Sequence, residues 1–295
     1  MYEMVTRLIT ERLEAGVIPW KMPWNGASAM PRNLVSKKMY RGFNFFYLLS
    51  FRFERPYFLT WKQVQDLGGK VKKGARTYPV VFWKMLDSET ENKKIPFLRY
   101  YSLFHVDDVE NLNPSVIPSY SQLSNEFDRI AACEEILYRW KDCPVIENNY
   151  EYAAYVPVSD KIRMPKFESF VKPEFYYATL FHEAIHSVGH RKRLNRHELF
   201  PDHKFGSQDY SKEELIAELG ASYLCAITGI ESETLDNHAA YIQNWLRNIK
   251  SDNKFFLTAA THAQRASDYI LGEQSYSDEI VTITETEKEP AVIEF

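Results

Sequence analysis

No stretch of the 295-residue chain is an uninterrupted apolar run long enough to cross a bilayer, which takes about 20 residues as a helix; a membrane partner is therefore not expected. The first residues, MYEMVTRLITERLEAG, place Tyr2, Val5, Leu8, Ile9 and Leu13 at helical spacing among charges. That pattern suits a half-buried helix and not a signal peptide. Cysteine is scarce. Cys133, Cys143 and Cys225 are odd in number and contain no CxxC pair, which argues against a disulfide framework and a zinc ribbon and points to a reducing cytoplasm. There is no internal repeat.

Acidic residues are nearly missing from one region. Between Trp20 and Met85 there are thirteen Lys or Arg against Glu54 and Asp66 alone, a balance of +11. The whole chain is at −4, so the remainder carries −15. The same window holds fifteen aromatic residues, four of the six tryptophans among them. A single nucleic-acid strand offers regularly spaced phosphates and open base faces, and its binders combine a cationic groove with aromatic platforms. Lys37, Lys38 and Arg41, then Lys70, Lys72, Lys73 and Arg76, supply charge at expected turns. Trp20, Trp24, Tyr40, Phe43 and Trp61 are candidate platforms. Phe45, Phe46, Leu48 and Leu49 read as core, and Val81, Phe82 and Trp83 as strand interior.

Turn residues divide the rest. A first helix ends near Gly16, a short helix spans 60–67, and strands cover 78–83 and 97–106. The Pro- and Ser-rich NLNPSVIPSYS marks a linker at 113–121 between an N-terminal domain, 1–112, and a C-terminal one, 122–272. In the latter, an amphipathic helix over 122–140 precedes PVIENNYEYAAYVPV, which reads as a hairpin turning at Asn148-Asn149. Four further helices follow, over about 173–189, 211–229, 235–249 and 254–271. The acidic segment 273–295 reads as disordered.

The sequence ATLFHEAIHSVGHRKRLNR (178–196) contains His182-Glu183-x-x-His186. Residues four apart share a helix face, so both imidazoles can reach one ion. The flanks Leu180, Phe181, Ala184, Ile185 and Val188 suit a buried helix. A zinc ion held there makes a water acidic enough to ionise near pH 7, and Glu183, about a hundred degrees round the helix, is placed to take the proton and pass it to a leaving amine.

The third ligand is less direct. The longer HExxHxxGxxH pattern would require histidine at Lys192, and His190 follows the helix end too closely. A carboxylate from EELIAELGASYL is the better candidate, with Gly220 and Ala221 allowing a close helix approach. Glu214 and Glu218 share a face, so one can bind the ion while the other supports a ligand histidine. Ser211 followed by Glu214 also reads as a capping box, which would turn Glu214 to the backbone and leave Glu218 as the ligand.

These residues carry a resemblance. DKIRMP (160–165), the HExxH helix with Gly189, EELIAELGASYL and NWLRNIKSDNKFFLTAATHAQRASDYIL are similar to the zincin-like metallopeptidase domain of ArdC-type antirestriction proteins. PWKMPW, PRNLVSKKMYRGFN, LTWKQVQDLGGKVKKGARTYPVVFW and YYSLFHVDDVENL resemble the single-stranded-DNA-binding domain that precedes it in that family. Together they cover most of the chain.

The resemblance implies an α+β protein: a small α/β domain, then a mostly helical domain with a short antiparallel sheet. It implies a plasmid- or mobile-element-borne protein that shields incoming DNA from host restriction. It also implies a Glu ligand at Glu214, with Zn2+ as the ion and Mn2+ or another divalent ion as the alternative, and a protein substrate or restriction-system component as partner. The family often has an aromatic residue after the second histidine. Ser187 and Val188 stand there in this chain, a change expected to reshape the pocket edge. In zincins an extended strand beside the motif helix pairs with substrate backbone, and 160–165 reads as that strand. His190, His203, Tyr210 and Tyr223 are the candidates for stabilising the oxyanion.

Overall fold

The computed structural model describes residues 2–21, 30–87, 94–118, 126–200, 207–231 and 239–273. Among them are eight α-helices and nine strands in a mixed α+β arrangement. None of these helices is long and apolar enough to cross a membrane. The segment read as an acidic tail lies outside the described residues apart from Glu273.

The N-terminal half is built on a four-stranded sheet in the order β1 (Arg32–Asn33), β2 (Tyr57–Thr60), β5 (Lys94–His105), β4 (Tyr78–Asp87). β4 and β5 form a long antiparallel pair with Tyr78 opposite Leu103 and Asp87 opposite Lys94. Helix α3 (Trp61–Asp66) starts at a capping box in which Thr60 and Gln63 satisfy each other's backbone N–H groups. β3 (Lys70–Val71) then pairs with β6 (Val109–Glu110) over a small core of Leu34, Leu59, Val64, Val106 and Val109. Val116 and Ile117, inside the stretch read as a linker, pack against that core.

The first helix, α1 (Tyr2–Glu14), and α2 (Phe43–Leu49), whose seven residues are all buried, belong to the large core that also holds the C-terminal helices. α1 packs on α7 (Ala239–Ser251), and both α1 and α2 meet α8 (Phe255–Leu271). The backbone N–H of Gly42 donates to Gln264 Oε1 at 2.9 Å, fixing the two halves to each other.

The C-terminal half places α5 (Pro173–Val188) and α6 (Gln208–Thr228) side by side, with α4 (Glu126–Arg139), α7 and α8 around them. Its three-stranded sheet runs β7 (Val145–Glu147), β9 (Lys161–Arg163), β8 (Ala154–Val156). The expected hairpin at Asn148-Asn149 does not form: β7 pairs parallel with β9, and β8 pairs antiparallel with β9. The sheet is therefore mixed, because the antiparallel partner of β8 is the strand that follows it. β9 is the central strand, paired on both edges, so 160–165 offers no free edge to a substrate; β8 is the edge strand beside α5.

Helix α6 begins one turn earlier than its capping-box reading. Ser207 is the N-cap and its Oγ accepts the Tyr210 N–H at 3.1 Å. Ser211 is buried inside the helix, where its Oγ accepts from Asn248 Nδ2 at 2.8 Å and its carbonyl from Trp245 Nε1 at 3.0 Å. Ser211 docks α7, and Glu214 is released from the capping role.

Candidate metal centre

Helix α5 starts with Pro173 in its first turn, where the missing N–H costs nothing, and its cap residue is Gly189. Gly189 leaves room for the His197 ring: a Cβ there would lie 2.4 Å from His197 Nε2, so the ring would have to move. On α6, Gly220 lets the backbone approach Ile185, so the two helices bring their polar faces together.

His182 Nε2 and His186 Nε2 are 3.1 Å apart. Glu214 Oε2 lies 3.7 Å from His182 Nε2, and Glu214 Oε1 lies 3.7 Å from His186 Nε2. Tetrahedral zinc with bonds of about 2.0–2.2 Å separates its donors by about 3.4 Å, so this triangle fits one ion. The other nitrogens look away from it. His186 Nδ1 meets Glu213 Oε1 at 3.1 Å, and His182 Nδ1 faces Glu218 Oε2 at 3.5 Å. With each Nδ1 presented to a carboxylate, the two Nε2 lone pairs point at a common spot that a cation would satisfy.

Glu214 thus faces both Nε2 atoms, and Glu218 faces His182 Nδ1 on the other side of the ring. Glu213 and Arg196 were not foreseen. Glu213 is clamped by Arg196, Nε to Oε2 at 2.9 Å and Nη2 to Oε1 at 2.7 Å, and Arg196 also donates to the Ile185 carbonyl at 2.9 Å. Arg196 is 1% exposed. Burial raises the Glu213 pKa, but the Arg196 guanidinium outweighs it and holds the carboxyl well below its usual range. Burial likewise disfavours a charged His182, yet Glu214 and Glu218 reverse this and raise its pKa well above the usual value. The pocket is thus built for positive charge.

Glu183 is buried, and its Oε2 accepts the N–H of Tyr155 in edge strand β8 at 2.7 Å. Tyr155 is anchored in turn: its hydroxyl donates to Asp160 Oδ1 at 2.9 Å, and Arg193 pairs with the same carboxylate. Of the oxyanion candidates, His190 is turned towards Asp160 and Tyr223 is 1% exposed against Phe45 in the core. His203 lies outside the described residues. Tyr210, one turn before Glu214 and half-buried, hydrogen-bonds that carboxylate. Ser187 and Val188, the departure from the expected pattern, are fully buried and do not form the pocket edge.

A profile of zincin-like metallopeptidases matches residues 134–262, and a profile of the N-terminal domain of anti-restriction factor ArdC matches residues 1–104. The crystal structure of metal-free antirestriction ArdC from plasmid R388 superposes with a TM-score of 0.75 at 33% identity, covering 93% of this chain and 99% of that one. The chain belongs to the ArdC family of antirestriction proteins. The Mn(II)-bound structure of the R388 ArdC gives a TM-score of 0.74. An uncharacterized protein, y4eC of Sinorhizobium fredii, is 33% identical over 93% of this chain and 92% of its own length. A DNA primase TraC of Escherichia coli is 28% identical over 95% of this chain, which spans only 28% of that primase.

In this ArdC-family chain the basic, aromatic window divides between core and surface. Trp20 is 1% exposed, packed 5.7 Å from Trp245 and 5.8 Å from Phe256, with its carbonyl accepting from Ser222 Oγ. Tyr40 is buried against Phe58, and Phe43 is buried against Tyr47. These three rings are core residues and not platforms. Arg41 pairs with Asp268 and Glu273, tying the N-terminal half to α8. Composition counts rings and charges but not the elements that cover them, which is why these were misassigned.

Trp24 lies outside the described residues. Trp61 is 45% exposed beside Phe104, and Lys37, Lys38, Lys70, Lys72, Lys73 and Arg76 are all exposed. Two of these lysines also brace loops: Lys37 Nζ donates to the Val116 carbonyl at 3.1 Å and Lys72 Nζ to the Asp107 carbonyl at 2.7 Å.

Proposed function

We propose that this chain is a zinc-dependent peptidase that also binds single-stranded DNA, and that it shields incoming mobile-element DNA from restriction in the cytoplasm. The observation that carries the enzymatic half is the convergence of His182, His186 and Glu214, whose ligand atoms lie within 4.8 Å of one another, beside a buried Glu183. A divalent ion held there supplies a Lewis acid for a water and for the carbonyl under attack. Glu183, oriented through one oxygen by Tyr155, takes a proton from water with the other and returns it to the leaving amine. Among the described residues, Tyr210, whose hydroxyl hydrogen-bonds Glu214, would serve to stabilise a developing oxyanion. Two imidazoles and a carboxylate favour zinc, while the Mn(II)-bound relative supports manganese as the alternative. Exposed cations with Trp61, and similarity to primases, support DNA as the partner of the other half.

A second reading, a DNA shield without turnover, is favoured by one detail. The Tyr155 N–H, a donor that a substrate strand on β8 would need, is held by Glu183. Glu183→Gln separates the two. On the enzymatic reading the variant keeps its metal and its DNA binding but loses cleavage of restriction-system proteins, and antirestriction in cells is lost with it. Protection that survives in this variant supports the shield, and cleavage that survives removes Glu183 as the base.

A further inference from the structure

Away from the metal centre, one histidine is built into the support of the basic loop. His105 ends β5, opposite Phe58 of β2, and is 1% exposed. Its ring stacks on Phe53 with 3.7 Å between centroids and meets Phe58 edge-on at 5.4 Å. Phenylalanine could fill the same space, but both ring nitrogens of His105 are engaged. Nε2 lies 2.7 Å from the Arg55 carbonyl, and Nδ1 lies 3.3 Å from the Asp107 backbone N. A carbonyl only accepts and a backbone N–H only donates. The two bonds therefore coexist only in the neutral ring with its proton on Nε2.

The bond at Nδ1 caps a 3-10 turn, Val106–Asp108. That turn holds Lys72 twice. The Asp108 carbonyl accepts the Lys72 backbone N–H at 2.9 Å, and the Asp107 carbonyl accepts Lys72 Nζ at 2.7 Å. β3 and β6 pair beside it, with Val71 opposite Val109. Lys72 begins the basic loop that carries Lys73 and Arg76, all three exposed. Asparagine or serine caps such a turn at any pH; histidine does so only while its ring is neutral.

We propose that His105 is a positioning residue for the basic loop: its neutral ring holds the 106–108 turn and through it Lys72, and protonation at Nδ1 releases both. The consequence for nucleic acid rests on the reading of the N-terminal half as a DNA-binding module. Protonation turns the acceptor into a donor, so two N–H groups then face each other at Nδ1. The charged groups around the ring are Arg55, paired with Asp107, the carboxylates of Asp107 and Asp108, and Lys72 on the Asp107 carbonyl. Burial lowers the His105 pKa, and the Arg55 carbonyl and the two carboxylates oppose this without reversing it. The unfolded ring titrates at about 6.5. Neutral His105 therefore contributes fully above that pH, and its contribution is lost as pH falls through the lower folded value.

The test follows the imidazole nitrogens and backbone amides of the full chain by NMR from about pH 7.5 to about pH 5, a range that brackets the histidine titration. At the upper pH the His105 ring should be the Nε2–H tautomer. As it titrates, hydrogen-exchange protection of the Lys72 and Asp107 amides should fall about tenfold at the same midpoint. Affinity for labelled oligothymidylate, by fluorescence anisotropy at fixed ionic strength, should fall about threefold over that range. Added positive charge alone does the opposite and tightens the hold on phosphate, so weaker binding reports the loop. His105→Asn, a cap that does not titrate, should keep both amides protected at the lower pH and abolish the loss of affinity. The wild-type titration decides the matter even if that variant does not fold. A proton on Nδ1 at the upper pH, or Lys72 protection that ignores the His105 titration, overturns the proposal. Protection lost on schedule with DNA binding unweakened overturns the loop's part in the DNA footprint. No binding of oligothymidylate at the upper pH overturns the DNA-binding reading, and the amide protection then decides the role of His105 by itself.

Discussion

Gly220 faces Ile185 across the α5–α6 contact with no room for a methyl group: a Cβ would lie 2.6 Å from Ile185 Cδ1. This approach carries Glu214 and Glu218 to His182. Gly220→Val should overpack the contact at a cost of about 1–3 kcal/mol and push the carboxylates away from the imidazoles. Urea unfolding should show the loss of stability and a metal-competition titration the loss of affinity. Unchanged metal affinity would separate the helix contact from the site.

Glu214 and Glu218 should behave differently on removal. Glu214→Ala deletes a donor, whereas Glu218→Gln only weakens the support of His182, a change that typically costs 10–100-fold in affinity. Titration against a chromophoric chelator should rank Glu214→Ala well below Glu218→Gln. The reverse order would make Glu218 the ligand.

Arg196 and Glu213 form a buried pair behind His186. Arg196→Met leaves the Glu213 charge unpaired, a loss of about 3–5 kcal/mol for a buried pair. Adding Glu213→Met should recover much of the stability while metal affinity stays low, because His186 loses its partner. A double-mutant cycle by chemical denaturation measures the first effect, and chelator competition the second.

Asp160 ties the β8–β9 turn to the segment after α5. Burial raises its pKa, but hydrogen bonds from Arg193, Tyr155 and Lys192 prevail and hold it far below the ordinary carboxylate value. A carboxyl with a depressed folded pKa stabilises the fold fully above its unfolded pKa, about 3.9, and loses that contribution as pH falls through the folded value. Asp160→Asn should therefore be less stable than wild type at pH 7, with a deficit that narrows below about pH 4. Asparagine tolerates the left-handed backbone at this position, φ 53, so the variant isolates the charge. A deficit independent of pH would contradict the assignment.

Much of the site was legible because it is local. His182, Glu183 and His186 lie on one helix whose start at Pro173 and end at Gly189 are written in residue chemistry. Which of Glu214 and Glu218 faces the two Nε2 atoms was not, since it turned on where α6 begins. Serine can cap a helix at 207 or at 211, and only the docking of Asn248 and Trp245 on Ser211 excludes the second. Arg196 and Glu213 left no signal, as an arginine after a helix and a glutamate beside another read as surface charge until burial is known.

By itself the sequence determined the helix that carries His182, Glu183 and His186, the α+β character and the concentration of positive charge in the first third of the chain. Those follow from spacing and composition, which act between near neighbours. The tertiary structure decided which carboxylate meets the imidazoles, which strand keeps a free edge, and which aromatic residues and arginines face water. Those depend on contacts between residues far apart in the chain, such as Trp20 with Trp245 and Arg41 with Asp268, and no local pattern records which surface another element will cover.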